Sequence, residues 1–200
     1  MTRKKNFCGG CLRVSPVFAV ELRELSARYS DNKQRFDPSL IAGCVRCRFG
    51  GIQVLVCRPF TGKRIFPTTF WLVCPYLTKL AGTLESRGGV SELEKSIKDV
   101  HEWRRYNMLH QVIRLGLAGK VQRRFMQKYR ASVYRSVMRS GIGGMKQTDG
   151  VNVKCLHLQA ASMIALGRHP GGEWLRTAGL CSDCGERHSC CRSCSPAGQG

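Results

Sequence analysis

The segments "GIQVLVC" (51–57) and "FPTTFWLVC" (66–74) decide the fold class of this 200-residue chain. Both are rich in β-branched and aromatic residues, which are typical of strands. The stretch "RPFTGKR" (58–64) between them carries the proline and glycine of a turn. The two segments therefore predict an antiparallel β-hairpin.

Helical periodicity is found on both sides of this hairpin, in the segments 17–29, 76–87, 91–115 and 120–139 and in a stretch that begins near Cys155. Ser91 and Glu94 have the spacing of a capping box, which predicts that one long helix starts there. The predicted fold class is therefore α+β, a short antiparallel β-hairpin packed by several α-helices.

Composition divides the chain into three parts: a basic arm and helix (1–37), a core domain (38–178) and a Cys-rich tail (179–200). The apolar fraction of 42% is close to the globular average, so the core domain can bury a substantial interior. The tail has too few apolar residues to fold alone, and we expect it to form a small zinc-knuckle-like unit around a metal ion.

The charge is strongly positive, with 33 Lys and Arg against 13 Asp and Glu and a net charge of +20. A field of this strength attracts polyanions such as nucleic acid, anionic membrane surfaces or phosphorylated small molecules. Charge alone does not separate these partners, because attraction to phosphate carries no sequence information. From residue 101 to 140 the chain has ten Lys or Arg and one Glu, so the charge is concentrated in the helical region.

The segment 120–139 places its charges on one side of the predicted helix. The basic arc consists of Lys120, Arg124, Lys128, Arg135 and Arg139. The opposite, apolar arc consists of Phe125, Met126, Tyr129, Val133 and Val137, which we expect to face the core. Trp103 lies beside two arginines in "HEWRRY" and is a candidate for stacking on bases, although it could instead pack inward.

Twelve cysteines require an account of the redox compartment. The N-terminal stretch has no apolar run of the length that an export signal needs, and no segment approaches the roughly 20 apolar residues of a membrane span. We therefore expect a cytoplasmic protein with reduced thiols. Reduced cysteines at C-x2-C spacing point to a metal before they point to disulfides.

The tail carries the stronger of two such patterns. Cys181, Cys184, Cys191 and Cys194 form C-x2-C-x6-C-x2-C, a spacing that aims four thiolates at one tetrahedral ion. His188 and Cys190 are alternative fourth ligands. We expect zinc, with an iron–sulfur cluster as the less favoured occupant; the other interpretation is an unstructured tail that oxidises.

A second pair of C-x2-C motifs lies near the N-terminus. Cys8 and Cys11 could combine with Cys44 and Cys47 into a four-thiolate site that holds the basic arm. Each motif alone is weak evidence for a metal site. Cys47 is also a candidate ligand of a second site, which is described next.

Four sequence blocks occur in order along the core domain: "CRFG" at 47, "FPTTFWLVCPYL" at 66–77, "GIGGM" at 141 and "VKCLH" at 153. In these blocks the chain resembles the bacterial family of domain of unknown function 501, over about residues 38–175. The resemblance implies a Cys3His metal site formed by Cys47, Cys74, Cys155 and His157. It implies a structural zinc there, because four protein ligands leave no position for water.

The chain departs from the family pattern in two places. It lacks further histidines after "VKCLH", where Leu158, Gln159 and Ala160 stand, and it has "RHPGGEW" where the family has an Asn-Pro segment. Neither terminal cysteine cluster belongs to the resemblance.

These observations lead to two functional hypotheses. The first is a cytoplasmic, zinc-stabilised basic protein that binds nucleic acid, RNA rather than DNA, through the basic arc. The alternative is an enzyme that acts on an anionic substrate. In that case Cys155, beside Lys154 at a helix N-terminus, is a nucleophile with His157 as its base, or both are ligands of a catalytic metal. The glycine-rich "GIGG" could then offer amides to an oxyanion.

Overall fold

The strand predicted from "GIQVLVC" is the centre of the fold in the computed structural model, which describes residues 14–30, 37–61 and 64–181. This strand pairs antiparallel with Phe70–Leu72 on one side, as the hairpin prediction requires. On its other side it pairs with Ile41–Arg46, a strand that the sequence analysis did not predict. The fold class is α+β, with a three-stranded antiparallel sheet and eight helices in the described ranges.

The strands are β1 (Ile41–Arg46), β2 (Ile52–Cys57), β3 (Phe60–Thr61), β4 (Arg64–Ile65) and β5 (Phe70–Leu72), in which β3 and β4 form a separate two-stranded ribbon. The helices are α1 (Ala19–Ser30), α2 (Pro75–Glu85), α3 (Gly89–Ser96), α4 (Val100–Leu117), α5 (Lys120–Tyr129), α6 (Ala131–Arg139), α7 (Leu156–Leu166) and α8 (Gly172–Thr177).

Both faces of the sheet are covered, which explains why β2 is apolar at every position except the buried Gln53. Side chains alternate along a strand, so Val54 and Val56 point to one face and Leu55 to the other. The first face belongs to the main core, together with α2, α4 and α7. The second face packs against α1 through Leu25.

Helix α7 is the centre of the helical layer and contacts β5, α2 and α8. It is buried around most of its circumference, as expected for a helix that is surrounded by other elements. Its predicted start near Cys155 is confirmed, since Cys155 is its N-cap. Gly167 ends the helix in the left-handed conformation at φ 69°, which glycine adopts without strain.

The long helix predicted over 91–115 is wrong. The chain leaves the helical conformation at Ile97 and starts α4 anew at Asp99, whose carboxylate accepts the N–H groups of His101 and Glu102. The capping box does not form, because α3 already begins at Gly89 and Ser91 lies inside it; the carboxylate of Glu94 instead accepts the N–H of Val153 at 2.7 Å. A tertiary contact has therefore replaced the local one.

The glycine-rich loop after α6 is fixed from two sides. Arg114 is fully buried and donates hydrogen bonds to the carbonyl oxygens of Val137, Ser140 and Gly141. These carbonyls lie at and beyond the C-terminal end of α6, where a guanidinium cation is favourable. Gly143 has φ 65° and packs so closely on Leu158 that a Cβ would lie 2.2 Å from a methyl group. The loop is therefore a packed element of the core.

Two buried histidines form the polar interior of the helical layer. The His110 ring lies 2.7 Å from the Ser162 hydroxyl, and the His169 ring lies 2.8 Å from the Gln159 side-chain oxygen. Burial lowers the pKa of each imidazole to about 3. At neutral pH both rings are therefore uncharged and have hydrogen-bonding partners.

We expect this arrangement to make the fold sensitive to mild acid. Above pH 6.5 the two imidazoles are neutral in the folded and in the unfolded chain. Between pH 6.5 and about pH 3 they are protonated in the unfolded chain and stay neutral in the folded chain. The free energy of unfolding should therefore fall by about 1.4 kcal/mol per pH unit for each histidine in that window.

This slope can be measured by urea unfolding at several pH values between 7 and 4. A chelator is present throughout, so that metal release does not contribute to the result. The substitution His169→Gln should remove about half of the slope. The matched control is His101→Gln, because His101 is exposed. An unchanged slope in His169→Gln would contradict the assignment.

Candidate functional site

The segment before α7 is held by two glutamates from different helices. Cys155 has an extended backbone, with φ −164° and ψ 156°, so its side chain and that of His157 can point the same way. The carboxylate of Glu94 accepts the N–H of Val153, and that of Glu85 accepts the N–H of Leu156 at 2.6 Å. His157 is the second residue of α7 and lies in its first turn.

Glu85, Cys155 and His157 form one cluster, with a ligand atom of each residue within 4.8 Å of the others. Nδ1 of His157 lies 2.9 Å from Oε1 of Glu85, and Nε2 lies 3.1 Å from the carbonyl oxygen of Thr78. All three residues are half-buried between α2 and α7. A thiolate, an imidazole and a carboxylate are zinc ligands, and such a cluster could hold a metal ion.

The imidazole of His157 is stabilised as a cation when no metal is bound. The hydrogen bond with the Cys155 side chain, followed by the contact with Glu85, raises its pKa to about 9 against the opposing effect of burial. This pairing contributes stability fully below pH 6.5 and loses it as the pH rises through about 9. A metal ion that binds His157 must therefore displace a proton.

The structure brings together two of the four ligands implied for the core site. Cys155 and His157 lie in the cluster, whereas Cys47 and Cys74 do not. Cys47 is half-exposed in the turn after β1, where its N–H donates to Gly51. Cys74 is buried at the N-cap of α2.

The remaining cysteines are described only in part. Cys44 is fully buried, and its thiol contacts the carbonyl oxygens of Ser15 and Pro16; burial raises its pKa to about 11. Cys181 is half-buried, and burial likewise raises its pKa to about 11. The other predicted ligands of the two terminal sites lie outside the described residues: Cys8, Cys11, Cys184, Cys191 and Cys194.

Glu85 is the site residue that the sequence analysis missed. It is the last residue of α2, where a carboxylate is unfavourable because the helix dipole is negative at that end. This unfavourable position is the one feature of the sequence that could have indicated a role for Glu85. The structure explains it, because the same carboxylate accepts N–H groups from the first turn of α7.

The predicted basic residues are all on the surface. Lys120, Arg124, Lys128, Arg135 and Arg139 are exposed. Within the described ranges, no carboxylate forms an ion pair with any of these five side chains. From Trp103 to Thr148 the sequence has eleven Lys or Arg, of which Arg114 is buried, and no Asp or Glu, so every charge that this segment exposes is positive.

The predicted continuous helix over 120–139, however, is wrong. The backbone leaves the helical conformation at Arg130 (φ −142°, ψ 46°), which separates α5 from α6. Met126 is buried against Phe60 and Val137, as expected for the apolar arc.

Two aromatic members of the arc point away from the core. Phe125 is 47% exposed and Tyr129 is 63% exposed, because the apolar arc of α5 is wider than the face that the small core cluster covers. Trp103 does the opposite: it is 5% exposed and packs against His169. The candidate stacking role of Trp103 is therefore wrong.

Comparison with known proteins supports the resemblance found in the four sequence blocks. No helix in the described ranges has the length and apolar character to cross a membrane. No curated protein and no solved structure was found to match the chain. The sequence profile of a protein family described as 'protein of unknown function' matches residues 44–177. This range excludes Cys8 and Cys11 as well as the cysteines from Cys181 onward. The chain therefore belongs to the DUF501 family of proteins of unknown function.

Proposed function

We propose that this chain is a cytoplasmic, zinc-stabilised protein that binds nucleic acid, RNA rather than DNA, through the surface of α5 and α6. The observation that carries the proposal is the exposure of five cationic side chains in a segment without acidic residues. Such a surface concentrates phosphate groups and releases their counterions on binding. The cationic side chains lie on two short helices that are separated at Arg130.

Zinc enters the proposal through the cluster of Glu85, Cys155 and His157. Two of these groups are anionic as metal ligands, and the thiolate and imidazole favour zinc over harder cations. A bound ion would join α2 to α7 and so stabilise the core. We retain the tail cysteines, beginning at Cys181, as the proposed second zinc site. The six described cysteines form no disulfide with one another.

Titration of a fluorescein-labelled 12-nucleotide RNA, at rising salt, tests the proposed function. We expect the logarithm of the affinity to fall linearly with the logarithm of the salt concentration, at about 0.7 for each phosphate contacted. The same oligonucleotide as DNA should bind more weakly. Affinity that does not respond to salt would contradict binding through these cations.

A second candidate function, thiol-based catalysis, is favoured by one observation. Glu85 contacts the ring of His157, which in turn contacts Cys155, so a nucleophile, a base and an orienting carboxylate are present together. The hydrogen bonds of the surrounding backbone N–H groups argue against this function. The N–H groups of Leu156 and His157 already donate to Glu85, and three of the four amides of residues 141–144 are likewise engaged. An oxyanion would find few free donors there.

Alkylation with iodoacetamide at pH 5.5 separates the two candidates. If Cys155 is a zinc ligand, it should stay unmodified until a chelator removes the metal, while the half-exposed Cys47 provides an internal comparison. Peptide mass spectrometry measures both sites in one sample. Rapid and selective modification of Cys155 in the zinc-loaded protein would favour the nucleophile and contradict the metal site.

A further inference from the structure

Helix α5 presents an exposed apolar stripe directly beside its exposed basic residues. Val121, Phe125 and Tyr129 are spaced by four residues and are all exposed. Lys120, Arg124 and Lys128 have the same spacing, one residue earlier, so the two stripes run in parallel about 100° apart and not on opposite sides of the helix, as the sequence analysis predicted. An exposed apolar patch that is bordered by polar residues is typical of an interaction site, whereas apolar residues exposed singly are common on any protein.

The two aromatic rings are arranged as a pair. Their centroids lie 5.1 Å apart with an interplanar angle of 45°, and the ammonium group of Lys128 lies 5.1 Å from the centroid of the Tyr129 ring. The helix is anchored by the buried Met126, which lies about 100° around the helix from Phe125, so the pair is held on an ordered element of the fold. A cation next to an exposed ring is the combination that binds a base together with its phosphate.

We propose that Phe125 and Tyr129 form a stacking platform for the unpaired bases of single-stranded RNA, whose phosphates contact Arg124 and Lys128. This inference rests on the proposed function and specifies the form of nucleic acid that the surface binds. In a duplex the faces of all but the terminal base pairs are covered by neighbouring bases, so an aromatic side chain stacks mainly on unpaired bases. The platform therefore discriminates strandedness, whereas the basic stripe alone binds both forms.

Charge complementarity decides between this occupant and a second copy of the chain. A dimer through α5 would bring together two surfaces whose surrounding segment has eleven cationic residues and no acidic ones. Such a contact places like charges against each other, which is unfavourable. A polyanion has the opposite charge and also supplies planar rings for the aromatic pair.

The test compares a 12-nucleotide single-stranded RNA with a blunt 12-base-pair RNA duplex by fluorescence anisotropy. The double variant Phe125→Ala/Tyr129→Ala should bind the single strand at least tenfold more weakly, with no change for the duplex. The variant Phe125→Trp/Tyr129→Trp should restore binding. The matched control is Val112→Ala/Leu115→Ala, which removes exposed apolar side chains from α4 and should change neither affinity.

Each other outcome overturns the platform in a distinguishable way. If the alanine variant binds the single strand as the wild type does, or loses both RNAs equally, the platform fails while the proposed function stands. If the wild type binds neither RNA, both fail. In that case, vesicles with anionic headgroups and light scattering at rising protein concentration show whether a membrane surface or a second copy occupies α5.

Discussion

Reversing three charges on α5, with Lys120, Arg124 and Lys128 all changed to glutamate, should weaken RNA binding by a factor of about 100 or more at moderate salt. Each cation that contacts a phosphate releases counterions, and each glutamate adds repulsion at the same place. The slope of log affinity against log salt should decrease in magnitude by about two, since three contacts contribute about 0.7 each for a single strand. Anisotropy titrations at four salt concentrations measure both quantities.

The matched control changes the net charge by the same amount at another surface. Arg87, Lys95 and Lys98 are exposed on and next to α3. Their replacement by glutamate should reduce the affinity only slightly, through the weaker overall field. If the control variant lost as much affinity as the α5 variant, the RNA would be responding to net charge, and the proposal that α5 binds RNA would be wrong.

The second large effect concerns the metal. Replacing Cys155 with serine should lower the zinc content by about one ion per chain and weaken zinc binding at that site by about 100-fold or more. Serine keeps the size of the side chain but removes the thiolate, which is the softest of the three ligands. Glu85→Gln should have the same direction of effect. Elemental analysis of protein purified without oxygen gives the content, and competition with a chromogenic chelator gives the affinity.

Cys47→Ser is the informative comparison for this result. The structure places Cys47 outside the cluster of Glu85, Cys155 and His157, so its replacement should leave that zinc in place. Equal loss of zinc in both cysteine variants would instead support the Cys3His set implied by the family resemblance. Unchanged zinc content in Cys155→Ser would contradict a core metal site of either kind.

The sequence was most informative where one strong local pattern also had a strong tertiary reason. The segment 52–57 is apolar except at Gln53 because β2 is covered on both faces, and the same pattern predicted a strand. By contrast, β1 has the sequence "IAGCVR", whose alanine and glycine have a low preference for strands, and the sequence analysis did not predict it. Its Gly43 packs so closely on the preceding chain that a Cβ would lie 2.3 Å from a methyl group of Val14, a constraint that appears only in three dimensions.

The glutamates show why the site was predicted only in part. Cys155 and His157 are neighbours in sequence, and their residue types alone indicate metal or nucleophile chemistry. Glu85 and Glu94 are about 60 to 70 residues away and were either unassigned or assigned to a local cap. Their roles depend on how α2 and α3 pack against the segment before α7, and no local pattern encodes that packing.

The aromatic residues make the same point for the surface. Periodicity placed Phe125, Tyr129 and Met126 on one apolar arc, and the structure confirms only Met126 as buried. How much of an apolar arc is covered depends on the size of the neighbouring cluster. Here that cluster is small, and the uncovered part of the arc is the surface for which we propose a function.

Ultraviolet crosslinking of the full-length protein to a 12-nucleotide RNA containing 4-thiouridine tests the central claim most directly. Mass spectrometry of the digested complex identifies the residues that touch the bases. We expect the crosslinks to fall within residues 120–139, with Phe125 or Tyr129 as the main sites. Efficient crosslinking confined to residues 1–13 or 182–200 would contradict the proposal, because RNA would then be bound by the terminal segments and not by α5 and α6.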